Sequence, residues 1–142
     1  MSDLTRIPAP DGVAPATAYT HVVMGTGRFV AVSGQLALDE DGKLVGEDDA
    51  AAQARQVFEN LRRCLASAGA GFDDVVKLTY FVTDMAHMSA IRTARAAHIP
   101  DDRLPAASAV QVAALVRSEF LMEIEAFAVI AEQGEQRAGR GR

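Results

Sequence analysis

The chain predicts an α+β fold, a mixed sheet of about six strands with two helices packed on one face. Two observations carry the strands: Val75–Val82 is a β-branched and aromatic run, and Leu121–Ala131 is an apolar run with two acids at strand spacing. A third carries the long helix. Ala54, Val57, Phe58, Leu61, Leu65 and Ala68 recur at helical spacing. The elements follow as β-β-(β)-α-β-α-β-β, and 142 residues supply one core but not two.

Residues 1–17, with Pro8, Pro10, Asp11 and Pro15, read as an irregular N-terminal segment. Ala18–Met24 and Arg28–Ser33 suit two strands, with Gly25-Thr26-Gly27 as the turn between them. It opens no helix, which excludes a phosphate loop. Asp39-Glu40-Asp41-Gly42 is a turn signal, and Lys43–Val45 a short strand after it. Asp48 or Asp49 can N-cap the long helix, and Gly69 stops it. Cys64, beside the apolar stripe, reads as a small buried hydrophobe rather than a reactive thiol.

After the strand Val75–Val82, Asp84 caps a second helix to about Ala97. Met88, Ile91 and the stem of Arg95 lie on its inner face, and Pro100-Asp101-Asp102 ends it. Ala106–Val112 and Leu121–Ala131 complete the sheet. Residues 18–131 thus form the folded domain, and 132–142, basic and without apolar periodicity, a disordered tail.

Net charge −5 and a pI near 5.1 leave no electrostatic footprint for nucleic acid or an acidic membrane. The N-terminus does not read as a signal peptide, and no apolar stretch reaches the length of a membrane span. With a single cysteine, these features point to a cytoplasmic protein. His87 and His98 belong to no metal-ligand spacing, so no metal site is expected.

Chemistry is expected on the last strand. Alternation puts Glu123 and Glu125 on one face of an otherwise apolar run, with Met122, Ile124 and Ala126 on the other. Two acids there need partners or a wet cleft. Apolar residues also occupy both parities of the strand before it, Val110 and Val112 against Ala107 and Ala109. Two helices cover one face only, so the other is expected to be buried by further subunits.

Ser33-Gly34-Gln35, Ala52-Gln53-Ala54-Arg55-Gln56, Val75–Asp84, Leu104-Pro105-Ala106 and Met122-Glu123-Ile124-Glu125-Ala126 occur in that order. Together they resemble the YjgF/Rid family of reactive intermediate deaminases, once labelled translation-inhibitor endoribonucleases, over roughly residues 17–130. The resemblance implies a chorismate-mutase-like fold and a homotrimer with small-molecule clefts between subunits. It also implies hydrolysis of 2-iminoacids and enamines to 2-ketoacids and ammonia without a cofactor.

The resemblance assigns Glu123 as the acid that, with the carbonyl of Ala109, holds the attacking water; Glu125 is the runner-up acid, read chiefly as a neighbour that tunes or pairs. It places Tyr19 near the cleft mouth and Arg92 at a cleft-side polar position. Ser33 and Gly34 contribute through backbone, Gly34 allowing close approach of a ligand. Glu123 is expected to share a wall with Ala107, Ser108 and Ala109 of the adjoining strand. A Tyr19–His21 pair at strand spacing could bind a ligand or sit solvated at an edge.

One departure matters. Deaminating members carry an arginine after Pro-Ala, whose fork clamps the substrate carboxylate. Here that position is Ala107. Arg92 or Arg95 could supply a replacement cation from another direction, or face solvent. Two functions therefore stand: deamination of imine- or enamine-type metabolites other than the standard 2-iminoacids, or a non-catalytic binding trimer using the same cleft. Acidic charge argues against a ribonuclease.

Overall fold

A computed structural model describes residues 3–132, so all but the first residue of the expected tail lies outside the described residues. The elements are β1 (Thr5–Ile7), β2 (Val22–Met24), β3 (Arg28–Gln35), α1 (Ala50–Ser67), β4 (Val75–Val82), α2 (Met88–Ala96), β5 (Ala106–Gln111) and β6 (Met122–Ile130). β3, β6, β4 and β5 lie side by side in that order. β6 runs antiparallel to both neighbours, and β5 runs parallel to β4, as the helical crossover through α2 requires.

The α+β class and the mixed sheet under two helices are as expected. The six strands, however, divide into this four-stranded sheet and a separate β1–β2 ribbon. Gly25-Thr26-Gly27 therefore joins two sheets rather than a hairpin. The N-terminal segment is not wholly irregular either, since Thr5–Ile7 pairs with Val22–Met24. Residues 18–21 leave the strand conformation. Ala18 has φ 71°, and Thr20 is bonded to the chain before β5, its N–H to Pro105 and its hydroxyl to Leu104. Lys43–Val45 contributes only a bridge between Leu38 and Leu44. Asp84 caps a 3₁₀ turn, Met85–His87, that precedes α2.

α1 forms as its signals require. The Asp49 carboxylate accepts from the Ala52 N–H at 3.1 Å, and Gly69 takes φ 81° just past the C-terminus. Its stripe from Ala54 to Leu65 is buried against Leu78, Val82, Met122, Ile124 and Ala126 of the sheet, with Ile91 of α2 in the same core.

Gln53 is a core residue that the apolar pattern does not reveal. Fully buried, it donates Nε2 to the carbonyls of Gly46 at 2.9 Å and Glu119 at 3.0 Å. Its Oε1 accepts from the Leu121 N–H at 2.9 Å. One side chain thus ties the approach to α1 to the start of β6. Gln53→Leu should cost on the order of 3 kcal/mol in urea unfolding, because buried backbone groups lose their partners.

His98 stacks on Phe58 with ring centroids 5.9 Å apart and packs on Phe72 at 4.9 Å. Burial lowers its pKa below the ordinary 6.5; Glu59 opposes that shift and Arg62 adds to it. The unfolded chain therefore takes up this proton first, and stability should fall as pH drops through about 6.5. A urea-midpoint profile from pH 7.5 to 5 checks this, and His98→Gln should flatten it.

Candidate functional site

The sheet register sorts the candidate residues by side. Along β4, Leu78, Tyr80 and Val82 are buried toward the helices, and Lys77, Thr79 and Phe81 lie on the outer face. Leu78 pairs with Ala107 and Tyr80 with Ala109, so both alanines face the helix side. Glu123 stands beside Phe81, which stands beside Val110, in a row across the outer face. β4 separates β6 from β5. Within one chain Glu123 is therefore not adjacent to residues 107–109, contrary to the expected shared wall: Ala107 and Ala109 face the helices, and Ser108, on the same outer face as Glu123, lies beyond β4.

On the helix side, Tyr19, Arg92, Ala107 and Ala109 come together around a cavity of about 410 Å³. Tyr19 arrives there through the bent chain at Ala18, whose carbonyl accepts from Arg95 Nη1 at 3.2 Å. Tyr19 and His21 are not on a strand, yet their rings still meet edge to face, 5.1 Å apart. His21 Nε2 also lies 2.8 Å from the Ala14 carbonyl.

Arg95 and Tyr80 also line the cavity. Arg95 is only 7% exposed, and its nearest acid, the exposed Asp101, is 4.0 Å away. Tyr80, read from sequence as strand core, also reaches the cavity. Burial raises its phenol pKa, against the pull of Arg95 and Arg92. The signal for Tyr80 was a hydroxyl on an otherwise apolar parity.

Glu123, Ser33 and Gly34 form a second group. Val32 pairs with Ala126 and Gln35 with Ile124, so three steps on β3 match two on β6 and a bulge falls at Ser33-Gly34. There the Glu123 side chain lies over Gly34. A Cβ on Gly34 would overlap Glu123 Oε2 and come 2.7 Å from its Cδ. Glycine leaves room for this carboxylate, which any larger residue would have to displace.

Glu123 and Glu125 are half-buried, and neither has an ion-pair or side-chain hydrogen-bond partner among the described residues. Around them the outer face is mixed: Thr79 stands beside Glu125 and Lys77 beside Phe127, while Phe29, 65% exposed, packs on Phe127 at 5.5 Å and Val110 is exposed. Gly34 also borders a cavity of about 610 Å³ with Gln56, Asn60 and Cys64. There Asn60 Nδ2 donates to the carbonyls of Leu36 at 3.0 Å and Leu38 at 2.9 Å, holding the loop after β3 on α1.

Comparison with known proteins gives a consistent result. The family model described as Endoribonuclease L-PSP matches residues 10–130. A protein named 3-aminoacrylate deaminase RutC, from Acinetobacter baylyi, is 38% identical over 119 residues, 84% of this chain and 93% of its own. The crystal structure of a Rid-family protein from Yersinia pestis superposes with a TM-score of 0.77 at 35% identity, covering 88% of this chain and 98% of that one. RidA from an Antarctic Psychrobacter gives a TM-score of 0.67 at 35% identity, over 87% and 94% of the two chains.

Gly34→Ala should lower stability by about 1–3 kcal/mol. Glu123→Ala should relieve most of that cost, so a double-mutant cycle by urea unfolding should show strong coupling. Additive effects would show that the two residues are not pressed together.

Proposed function

The chain belongs to the endoribonuclease L-PSP family, which includes the YjgF/Rid proteins, and on that premise we propose that it is a cofactor-independent hydrolase of imine- or enamine-type metabolites. The observation that carries the reading is Glu123: a half-buried carboxylate without a partner among the described residues, lying over a glycine bulge on the face that neither helix covers. Such an acid is costly as structure and useful as a base.

The working cleft lies between subunits of a homotrimer. Its support is the outer face, where Phe29, Phe81, Phe127 and Val110 lie uncovered by either helix. Glu123 and the Ser33-Gly34 bulge of one subunit meet the cavity of Tyr19, Arg92, Ala107 and Ala109 of the next. Water attacks the iminium carbon while Glu123 accepts its proton, giving a carbinolamine. Glu123 then returns the proton to the nitrogen; as the C–N bond breaks, it takes the proton of the carbinolamine hydroxyl and passes it to the departing ammonia, giving a carbonyl compound and ammonium. The protein acts in the cytoplasm on small molecules, and takes no nucleic acid or membrane as partner.

Ala107 favours a second reading, a trimer that binds small molecules without turnover, because the carboxylate clamp of the deaminating members is missing there. Activity separates the two readings. A panel of enamines and imines generated in situ should include one whose hydrolysis falls by about 10²–10⁴-fold in Glu123→Gln. Hydrolysis of 2-iminopropanoate should lie roughly 30-fold to several thousand-fold below that of an arginine-bearing member. A panel with no hydrolysis above the buffer rate leaves the binding trimer. Light scattering should give three times the 15.1 kDa chain mass; a monodisperse monomer at micromolar concentration contradicts the trimer.

A further inference from the structure

We propose that Arg95 and Arg92 of α2 form a carboxylate-binding site, and that the ligand is an acid whose carboxylate lies several bonds from its imine or carbonyl carbon. This rests on the hydrolase reading for the reacting carbon, but not for the anion. The cavity of about 410 Å³ contains two arginines and no acid in its lining. Arg95 is more than nine-tenths buried, yet its Nε has no hydrogen-bond partner among the described residues. Its other contacts are the Ala18 carbonyl, which accepts from Nη1 at 3.2 Å, the Tyr80 hydroxyl, and the exposed Asp101 carboxylate 4.0 Å away. A buried guanidinium held by a carbonyl and a phenol, with only a distant, exposed acid near it, keeps a positive charge that an anion in the cavity would balance.

Arg92, one turn earlier on α2, is exposed and has no ion pair among the described residues. It adds a second positive charge to the same cavity. On the β5 wall Ala107 and Ala109 present methyl groups, and the Ser108 side chain is on the opposite parity. The anchor therefore sits on the helix wall. A cavity of this size also falls within the range of sites that hold ligands well beyond three carbons. An acid held by α2 must extend toward the cleft mouth to present its reacting carbon to Glu123, which a 2-iminoacid, with its carboxylate next to that carbon, does not do.

The test uses product-like ketones and no turnover, so its outcome is independent of whether imines are hydrolysed. Binding of 4-oxopentanoate, its methyl ester and 2-oxopropanoate is measured by calorimetry and by NMR of arginine Nε–H signals in the intact protein. The proposal expects 4-oxopentanoate to bind at least tenfold more tightly than either other compound and to shift the Arg95 Nε–H signal. Arg95→Gln and, separately, the exposed Arg92→Gln should each weaken it at least tenfold, the second serving if the first fails to fold. Equal binding of acid and ester, tighter binding of 2-oxopropanoate, or an Arg92→Gln protein with unchanged affinity and an unmoved Arg95 signal would overturn it.

Discussion

The alternation of β6 is the constraint on which the rest depends. Met122, Ile124, Ala126 and Ala128 are fully buried, and this strand is hydrogen-bonded to both β3 and β4. A shift of one residue would bury Glu123 and Glu125 among Leu61, Leu78 and Val57 and expose the core face. Burying two unpaired carboxylates is prohibitive, so the register is decided by the same residues that carry the proposed chemistry. Gln53 reinforces it by holding the Leu121 N–H at the strand's start.

What could be read from the sequence was local. Asp49, the stripe to Leu65 and Gly69 bound a helix because cap, period and stop all reside in neighbouring residues. Val75–Val82 is exact for the same reason: every position suits a strand. The strand over residues 18–21 failed because long-range bonds overrule local preference, Thr20 to Leu104 and Pro105, and Arg95 to Ala18. β1 was hidden because three residues among prolines carry no period, and their pairing with β2 is visible only in three dimensions.

The site was legible residue by residue but not as an arrangement. The resemblance picked out Tyr19, Arg92, Ala107 and Ala109, and the fold brings all four around one cavity. It also picked out Glu123, Ser33 and Gly34, which the fold gathers elsewhere. The division follows from strand order, β3-β6-β4-β5, which no pattern in a single strand encodes. Arg95 could be read as a buried stem, but its orphaned Nε depends on the bend at Ala18. Across the cavity from the methyl group of Ala107, α2 carries Arg92 and Arg95.

The central claim is that neither group works without a neighbouring chain. Subunit mixing tests it directly. Glu123→Gln removes one half of the cleft, and Ala109→Trp fills the cavity of the other. Each homo-oligomer should be inactive on a substrate of the wild-type protein. Denatured together and refolded in equal amounts, they should recover about a quarter of wild-type activity, because that share of clefts joins two intact halves. A mixture no more active than its parents, with mixed oligomers demonstrated by mass spectrometry, would show that each site is built within one chain.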